Sequence, residues 1–271
     1  MTDFLKDGKI IENKEIGTGN YLLKVKIDGT IGVPKAGQFY LLKCKNEIRI
    51  LKRPISLHFV NKDEKVLEFV YKTIGEGTKE MSFYNIGETI NIQGPLGTGF
   101  DVKPKNKKAV IVGGGIGLAP LKQLIHELKN ENEVIFIAGG RDKEALEILG
   151  NFDLGGIELM TCSDDGSCGR KALVTELLKE VLEKEKVDII YTCGPHIMME
   201  KVAEIAHENN IKCEVSMEER MACGVKACVG CSIKTAEGMK KVCHDGPIFN
   251  SKIIIKNISH ITEEVCNTKC I

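Results

Sequence analysis

The stretch "AVIVGGGIGLAP", residues 109–120, decides the fold. Its first four residues are apolar and read as a buried strand. The glycines form a turn, and the chain then enters a helical run in which Leu121, Leu124, Ile125 and Leu128 recur on one face. A glycine turn between strand and helix lets a backbone approach a pyrophosphate, and the helix start offers N–H groups and a positive dipole end. Gly113, Gly114, Gly115, Ile116 and Gly117 are therefore candidate nucleotide-binding positions. The spacing departs from G-x-G-x-x-G, because Pro120 stands where the third glycine would be; a tight structural turn is the alternative reading.

Downstream, the same rhythm repeats. Strand-like "EVIFIAGG" (133–140), "IELMTC" (157–162) and "VDIIYTCG" (187–194) alternate with helical segments over 142–149, around Val174–Leu182, and after Pro195. Alternation of this kind predicts a parallel sheet with helices on both faces, whose ligands bind beyond the carboxyl ends of the strands. Two more candidate turns lie there: Cys193-Gly194-Pro195, and the polar "SDDGSCGRK" (163–171), with Asp164 and Asp165 suited to ribose or phosphate contact or simply to solvent.

Upstream of the charged linker "KPKNKK" (103–108), short β-rich runs are separated by turn residues: "KIIENKEIG", "YLLKVKID", "QFYLLK", "ISLHFV", "VLEFVYK" and "ETINIQG". Strands at this spacing predict a small antiparallel barrel, with "EGTKEMSFY" (76–84) as a short helix or turn across one end. Within it, "RPIS" (53–56) offers an arginine for a diphosphate and a hydroxyl for a flavin edge, although an arginine flanking a strand is usually a solvated charge. "GEGT" (75–78) presents backbone N–H groups and a hydroxyl to phosphate.

Beyond about Ser216 the chain turns irregular and cysteine-rich. "ACGVKACVGC" (222–231) places Cys223, Cys228 and Cys231 in a C-x4-C-x2-C spacing, and Cys243 follows in "VCHDGPIF". Four thiolates at this spacing suit a 2Fe-2S rhomb. A structural zinc site is the main competitor, although only Cys228 and Cys231 form a C-x2-C knuckle. A thioredoxin-like redox pair would need its C-x-x-C at a strand–helix junction. About fifty-five residues is a small core, so a metal centre is expected to hold this region together. The domain division read from these shifts is 1–102, 103–215 and 216–271.

Composition bounds the rest. Among the 271 residues, Lys+Arg and Asp+Glu balance at 38 each, so no net field favours nucleic acid or an anionic membrane. Tryptophan is absent and aromatics are 5%, which argues against a stacking platform for single strands. "MTDFLKDGKI" has no apolar core of a signal peptide, and no run is long enough to span a bilayer. Eleven cysteines without an export signal suggest reduced thiols and metal or redox chemistry in the cytoplasm. Cys44, Cys162, Cys168 and Cys213 read as small semi-buried residues, and Cys266 and Cys270 as surface thiols.

The barrel with "RPIS" and "GEGT", then "GGGIGLAP", then "CGP", resembles the ferredoxin–NADP reductase superfamily of flavin/nicotinamide modules. The usual R-x-Y-S becomes Arg53-Pro54-Ile55-Ser56, so an aromatic that would stack on the flavin is replaced by Ile55. The resemblance implies that Arg53, Pro54, Ile55 and Ser56 hold the isoalloxazine–diphosphate region of FAD, with Val70, Tyr71 and Lys72 along its other side and Gly77 and Thr78 at its phosphates. With "MEERMACGVKACVGC" and "CHDGPIF" added, essentially the whole chain is similar to the electron-transfer subunits of type B (NAD-linked) dihydroorotate dehydrogenases. That group also contains flavin subunits of some cytosolic hydrogenases, sulfite reductases and ferredoxin-linked NAD(P) oxidoreductases. The resemblance implies FAD, a 2Fe-2S cluster on Cys223, Cys228, Cys231 and Cys243, NAD(H) as an exchangeable substrate, and an FMN-containing catalytic partner in a heterotetramer. A zinc-stabilised nucleotide-binding protein is the reading from another class.

Overall fold

The computed structural model describes residues 5–254. Cys266 and Cys270 lie outside them.

Six antiparallel strands close a barrel: β1 (Leu5–Gly17), β2 (Asn20–Ile27), β3 (Phe39–Leu42), β4 (Arg53–Asn61), β5 (Val66–Lys72) and β6 (Thr89–Leu96), in the order β1-β2-β5-β4-β3-β6. Alternation sets the register. In β6, Ile90 and Ile92 face inward while Thr89, Asn91 and Gln93 do not, and a slip by one residue would invert the set. Leu23, Val25, Tyr40, Leu57, Phe69 and Met81 fill the interior. A short helix, α1 (Glu76–Ser82), follows β5, and its buried Met81 belongs to this core.

The second unit is a parallel sheet. β7 (Lys108–Gly114), β8 (Glu133–Gly140), β9 (Glu158–Ser163), β10 (Arg170–Lys171), β11 (Ile189–Cys193) and β12 (Lys212–Ser216) lie in the order β10-β9-β8-β7-β11-β12. The apolar runs of β7, β8 and β11 are buried because helices cover both faces. α2 (Leu121–Leu128) packs on one face through Leu121, Leu124, Ile125 and Leu128, with α3 (Lys143–Leu146) beside it. α4 (Val174–Lys184) and α5 (His196–Glu208) pack on the other through Leu177, Leu178, Met199 and Val202. Between strand and helix, Gly115–Leu118 is a 3-10 turn, and α2 starts after Pro120, which has no N–H to lose there.

The cysteine-rich region is more ordered than its sequence suggests. Hairpin β13 (Ser232–Thr235) and β14 (Gly238–Lys241) leads through α6 (Val242–Asp245) to β15 (Ile248–Asn250) and α7 (Ser251–Ile254). β15 pairs antiparallel with β12, becoming the seventh strand of the sheet. Cys231, Ile233, Val242, Cys243 and Phe249 share one hydrophobic core with Val110, Ile190 and Val202. The segment, expected to be too small for a core of its own, is packed onto the sheet.

Barrel and sheet meet along a polar seam in which α2 lies against β4. The Val60 amide donates to Gln123 Oε1 (3.1 Å), Lys122 pairs with the nearly buried Glu68 (2.7 Å), and the His58 ring reaches the Ala119 carbonyl (2.6 Å).

Candidate functional site

A cleft of about 430 Å³ opens where barrel, sheet and cysteine-rich region meet. All nine residues singled out for a flavin line it: Arg53, Pro54, Ile55 and Ser56 from β4, Val70, Tyr71 and Lys72 from β5, and Gly77 and Thr78 from α1. Tyr71 can offer only its backbone. Its ring is buried in the barrel core, stacks on Tyr21 at 5.6 Å, and donates its hydroxyl to Asn13 Oδ1 (3.0 Å).

The arginine is seated by a glycine. A Cβ on Gly77 would lie 2.0 Å from Arg53 Nε, so the guanidinium occupies the space a side chain would take. Arg53 Nη1 also donates to the Leu51 carbonyl (2.8 Å). The amides of Gly77 and Thr78 precede the first bond of α1, Lys79 N–H to Gly75 O (2.9 Å), and are left for water or an anion. The Thr78 hydroxyl is already used: it accepts from Ile74 N–H (3.1 Å) and donates to Gly75 O (3.0 Å). Arginine, open amides and an apolar floor suit a flavin dinucleotide.

Sequence reasoning missed part of this wall. Arg49, held by Glu80 (Nε to Oε2, 2.9 Å), reaches the rim. Met217, Glu218, Met221 and Pro247 close the cleft opposite the barrel. Glu218 is exposed to water, yet it sits deep enough that burial pushes its carboxyl up, with His196 opposing. The signal was present in "MEERMACG", but a run of side chains before a cysteine does not declare that it folds back over a distant barrel.

The nucleotide candidates divide. Only Ile116 among them lines the cleft. Gly115 has φ +56° with open space around its missing side chain, so it is the glycine whose backbone a ligand can approach. Gly117 packs against the Cys193–Gly194 backbone, where a Cβ would come within 2.5 Å of Gly194 Cα, and one on Gly114 would meet Met198 Sδ at 2.5 Å. Gly113, which pairs with Cys193 across β7 and β11, would strike Leu118 and Leu121. These three serve close packing of the two turns, with Pro195 capping α5 just beyond. The Cys193 thiol is buried; burial pushes it well up, the Glu218 carboxylate adds to this, and a contact with Ser216 opposes it. Asp164 and Asp165 begin the turn after β9, where Asp165 accepts from Ser167 N–H (2.9 Å) and hydroxyl (2.7 Å).

The four cysteines influence one another electrostatically. The Cys228 thiol acts most directly on Cys223, and the Cys231 thiol on Cys243, with Cys223 acting on Cys243 as well. Cys228 N–H donates to Cys223 Sγ (3.3 Å). Burial would raise the Cys223 thiol, but the amides of Cys228, Val225 and Ala227 together with the Cys228 thiol bring it down to about 7. Cys243 is pushed up to about 11 by burial and by Cys231, against a bond from the Lys226 amide. Left-handed backbone at Gly224 (φ +67°) and Lys226 (φ +66°) curls the loop so that its amides point at the sulfurs. Among the described residues no three His, Cys, Asp or Glu side chains gather as one ion would require. Four thiols on one loop and the adjoining α6 supply the soft anionic donors that a 2Fe-2S rhomb needs, two for each iron.

The loop rests on the barrel: Gln93 Nε2 donates to Cys223 O (3.2 Å), and Gly224 lies against Leu41 and Leu96. Cys44, Cys162 and Cys213 are buried and Cys168 half-buried. His244 bonds Asp245 (3.0 Å) beside the thiols.

Comparison with known proteins fits this geometry. Residues 218–255 match the iron-sulfur cluster binding domain of dihydroorotate dehydrogenase B, and residues 111–204 an oxidoreductase NAD-binding domain. The dihydroorotate dehydrogenase B (NAD(+)) electron transfer subunit of Clostridium acetobutylicum is 39% identical over 92% of this chain and 96% of its own. The chain belongs to this family of electron transfer subunits. The family member from Clostridium perfringens is 41% identical over 90% of this chain and 95% of its own. A solved NADH-dependent reduced ferredoxin-NADP oxidoreductase superposes with a TM-score of 0.82, at 25% identity, covering 95% of both chains. Phthalate dioxygenase reductase shares the fold, with a TM-score of 0.66 at 18% identity over 81% of this chain and 70% of its own. Barrel, parallel sheet and cluster-binding region are thus the architecture of an oxidoreductase electron-transfer subunit, whose family name implies a catalytic partner. Among the described residues no helix is long and apolar enough to cross a membrane.

Proposed function

We propose that this chain carries electrons between NAD(H) and an FMN-containing subunit that oxidises dihydroorotate to orotate, with NAD+ as final acceptor, in pyrimidine biosynthesis. FAD supplies the conversion between a two-electron hydride and the single electrons that a 2Fe-2S cluster handles. Arg53 and the α1 amides hold its diphosphate, Pro54 to Ser56 and Val70 to Lys72 line its ring and ribityl chain, and Met217, Met221 and Pro247 exclude water on the far side. Gly115 and Ile116 admit NAD(H), with Gly113, Gly114 and Gly117 packing that turn against Cys193-Gly194-Pro195, and Asp164 and Asp165 stand ready for the ribose. Cys223, Cys228, Cys231 and Cys243 ligate the cluster. The units are assigned as 1–102 for FAD, 103–215 for NAD and 216–271 for the cluster.

One observation carries this reading: Ser216 to Glu219 and Met221 line the cleft, and the chain reaches the first cluster thiol, Cys223, two residues later. A single short segment is wall to one cofactor and ligand to the next. The exposed Val225 (50%) and Val229 (73%) give the loop an apolar outer face for docking the partner. A heterotetramer of two such chains with two partners, in the cytoplasm, completes the proposal.

The test is to identify the protein that co-purifies with the chain and assay the complex for dihydroorotate-dependent NAD+ reduction. An FMN-bearing barrel protein and that activity support the reading. A hydrogenase, sulfite reductase or ferredoxin partner without it would assign the chain to another branch of the group. A colourless protein containing zinc and no iron would overturn both.

A further inference from the structure

We propose that His58 is a positioning residue that fixes the spacing between the flavin strand and the nicotinamide turn through one hydrogen bond to the Ala119 carbonyl. This deepens the function proposed above and rests on its reading of the cleft.

His58 lies on β4, two residues beyond Ser56, where the β4–β5 register shifts between Leu57 and Phe59. Its side chain is fully buried. Nδ1 stands 2.6 Å from the carbonyl oxygen of Ala119. A carbonyl only accepts, so Nδ1 carries the proton and Nε2 is left as a lone pair. No described group satisfies that lone pair. The ring is held edge-to-face by Phe152, with centroids 5.4 Å apart at 73°.

The far end of the bond matters most. Ala119 belongs to the "GGGIGLAP" turn, and Ile116, Ala119 and Pro120 line the same cleft as Ser56. The bond therefore joins the strand that faces one side of the cleft to the turn that faces the other. Burial holds the imidazole neutral, its pKa lowered to about 3, with Lys122 and Lys24 adding to the effect and the Ala119 bond opposing it. The link stays made across the working pH range.

A packing role alone does not account for these features. Leucine or phenylalanine would fill the space without leaving a buried nitrogen unsatisfied, which costs free energy. What the imidazole adds is a directed donor at fixed length. Hydride transfer is steep in donor–acceptor distance, and a misplacement of about 1 Å can cost on the order of a hundredfold.

The test compares the full-length chain as wild type, His58→Leu and His58→Asn; the asparagine Nδ2–H stands where the Nδ1–H was. Two readouts need no cofactor. Nitrogen-15 spectra of the wild type should show a neutral Nδ1–H tautomer at pH 5, and amide exchange over 116–123 should speed up in His58→Leu but not in His58→Asn. With FAD loaded, flavin reduction by saturating NADH should slow about tenfold or more in His58→Leu and recover to within about threefold in His58→Asn. If leucine prevents folding, His58→Gln replaces it, because its amide lies one carbon too far out and should be slow. An Nε2–H tautomer, a ring titrating at its ordinary value, wild-type reduction in the leucine or glutamine chain, or equal slowing in asparagine would each overturn the proposal. Failure of the chain to bind FAD at all would instead overturn the reading of the cleft.

Discussion

Replacing Gly77 with alanine separates cofactor binding from folding. The added Cβ would lie 2.0 Å from Arg53 Nε and 2.7 Å from both Cζ and Nη2, and these are its three nearest atoms. None of the three is backbone, and Gly77 is not among the residues with positive φ, so α1 accepts the methyl while Arg53 is displaced. The helix gains up to about 1 kcal/mol from the exchange of glycine for alanine. FAD loses a charge-assisted contact worth roughly 1.5–3 kcal/mol, a weakening of roughly ten- to a hundredfold. The two effects have opposite sign. Flavin fluorescence titration of the FAD-free chain should give the weaker binding, and its thermal midpoint should be unchanged or higher. Unchanged FAD affinity would refute the seating of Arg53 on Gly77, and a large fall in the midpoint would refute the claim that α1 accommodates the methyl.

Three further outcomes follow from the geometry. In Cys228→Ser, NADH should still reduce the FAD while passage to the partner is lost, as read by stopped-flow absorbance; persistent transfer would mean Cys228 is not a ligand. Stripping iron with a chelator should abolish the visible cluster bands yet shift the melting midpoint by less than about 5 °C, because Cys231, Val242, Cys243 and Phe249 are packed into the sheet core; global unfolding would contradict this. His58 should make the fold acid-sensitive: its folded pKa, about 3, lies below the ordinary 6.5, so its contribution is fully present above 6.5 and is lost as pH falls toward 3. At pH 5 the loss is about 2 kcal/mol, measurable as the difference in urea midpoints between wild type and His58→Leu at pH 7.5 and pH 5; equal pH dependence in both chains would count against a buried neutral ring.

Both large units were legible because their signals are local. Period-two alternation in "ETINIQG" and apolar runs such as "VIFIA" state which faces are covered. The cysteine spacing was equally local. Tyr71 was read as lining the flavin, whereas its ring joins Leu67 and Phe69 in the barrel core. Other features come from long-range convergence. β15 has three residues, too few to show a period, and exists as a strand only because the edge of β12 is there to pair with. The roles of Gly113, Gly114 and Gly117 were hidden because a glycine that packs against a neighbouring turn looks in sequence like one that faces a phosphate. Met217, Glu218 and Met221 reach the cleft only through the return of the chain across the barrel.

The pairing of β15 with β12 has a kinetic consequence. Chain enters the thiol loop from one strand and leaves it into the adjacent strand of the same sheet, so both ends are moored within a strand spacing of each other, about 5 Å. A group held this way has no tether on which to swing. Electrons must cross a fixed gap rather than ride a pendulum, so the internal transfer rate should not change with solvent viscosity, and any viscosity dependence of turnover should arise at nucleotide exchange.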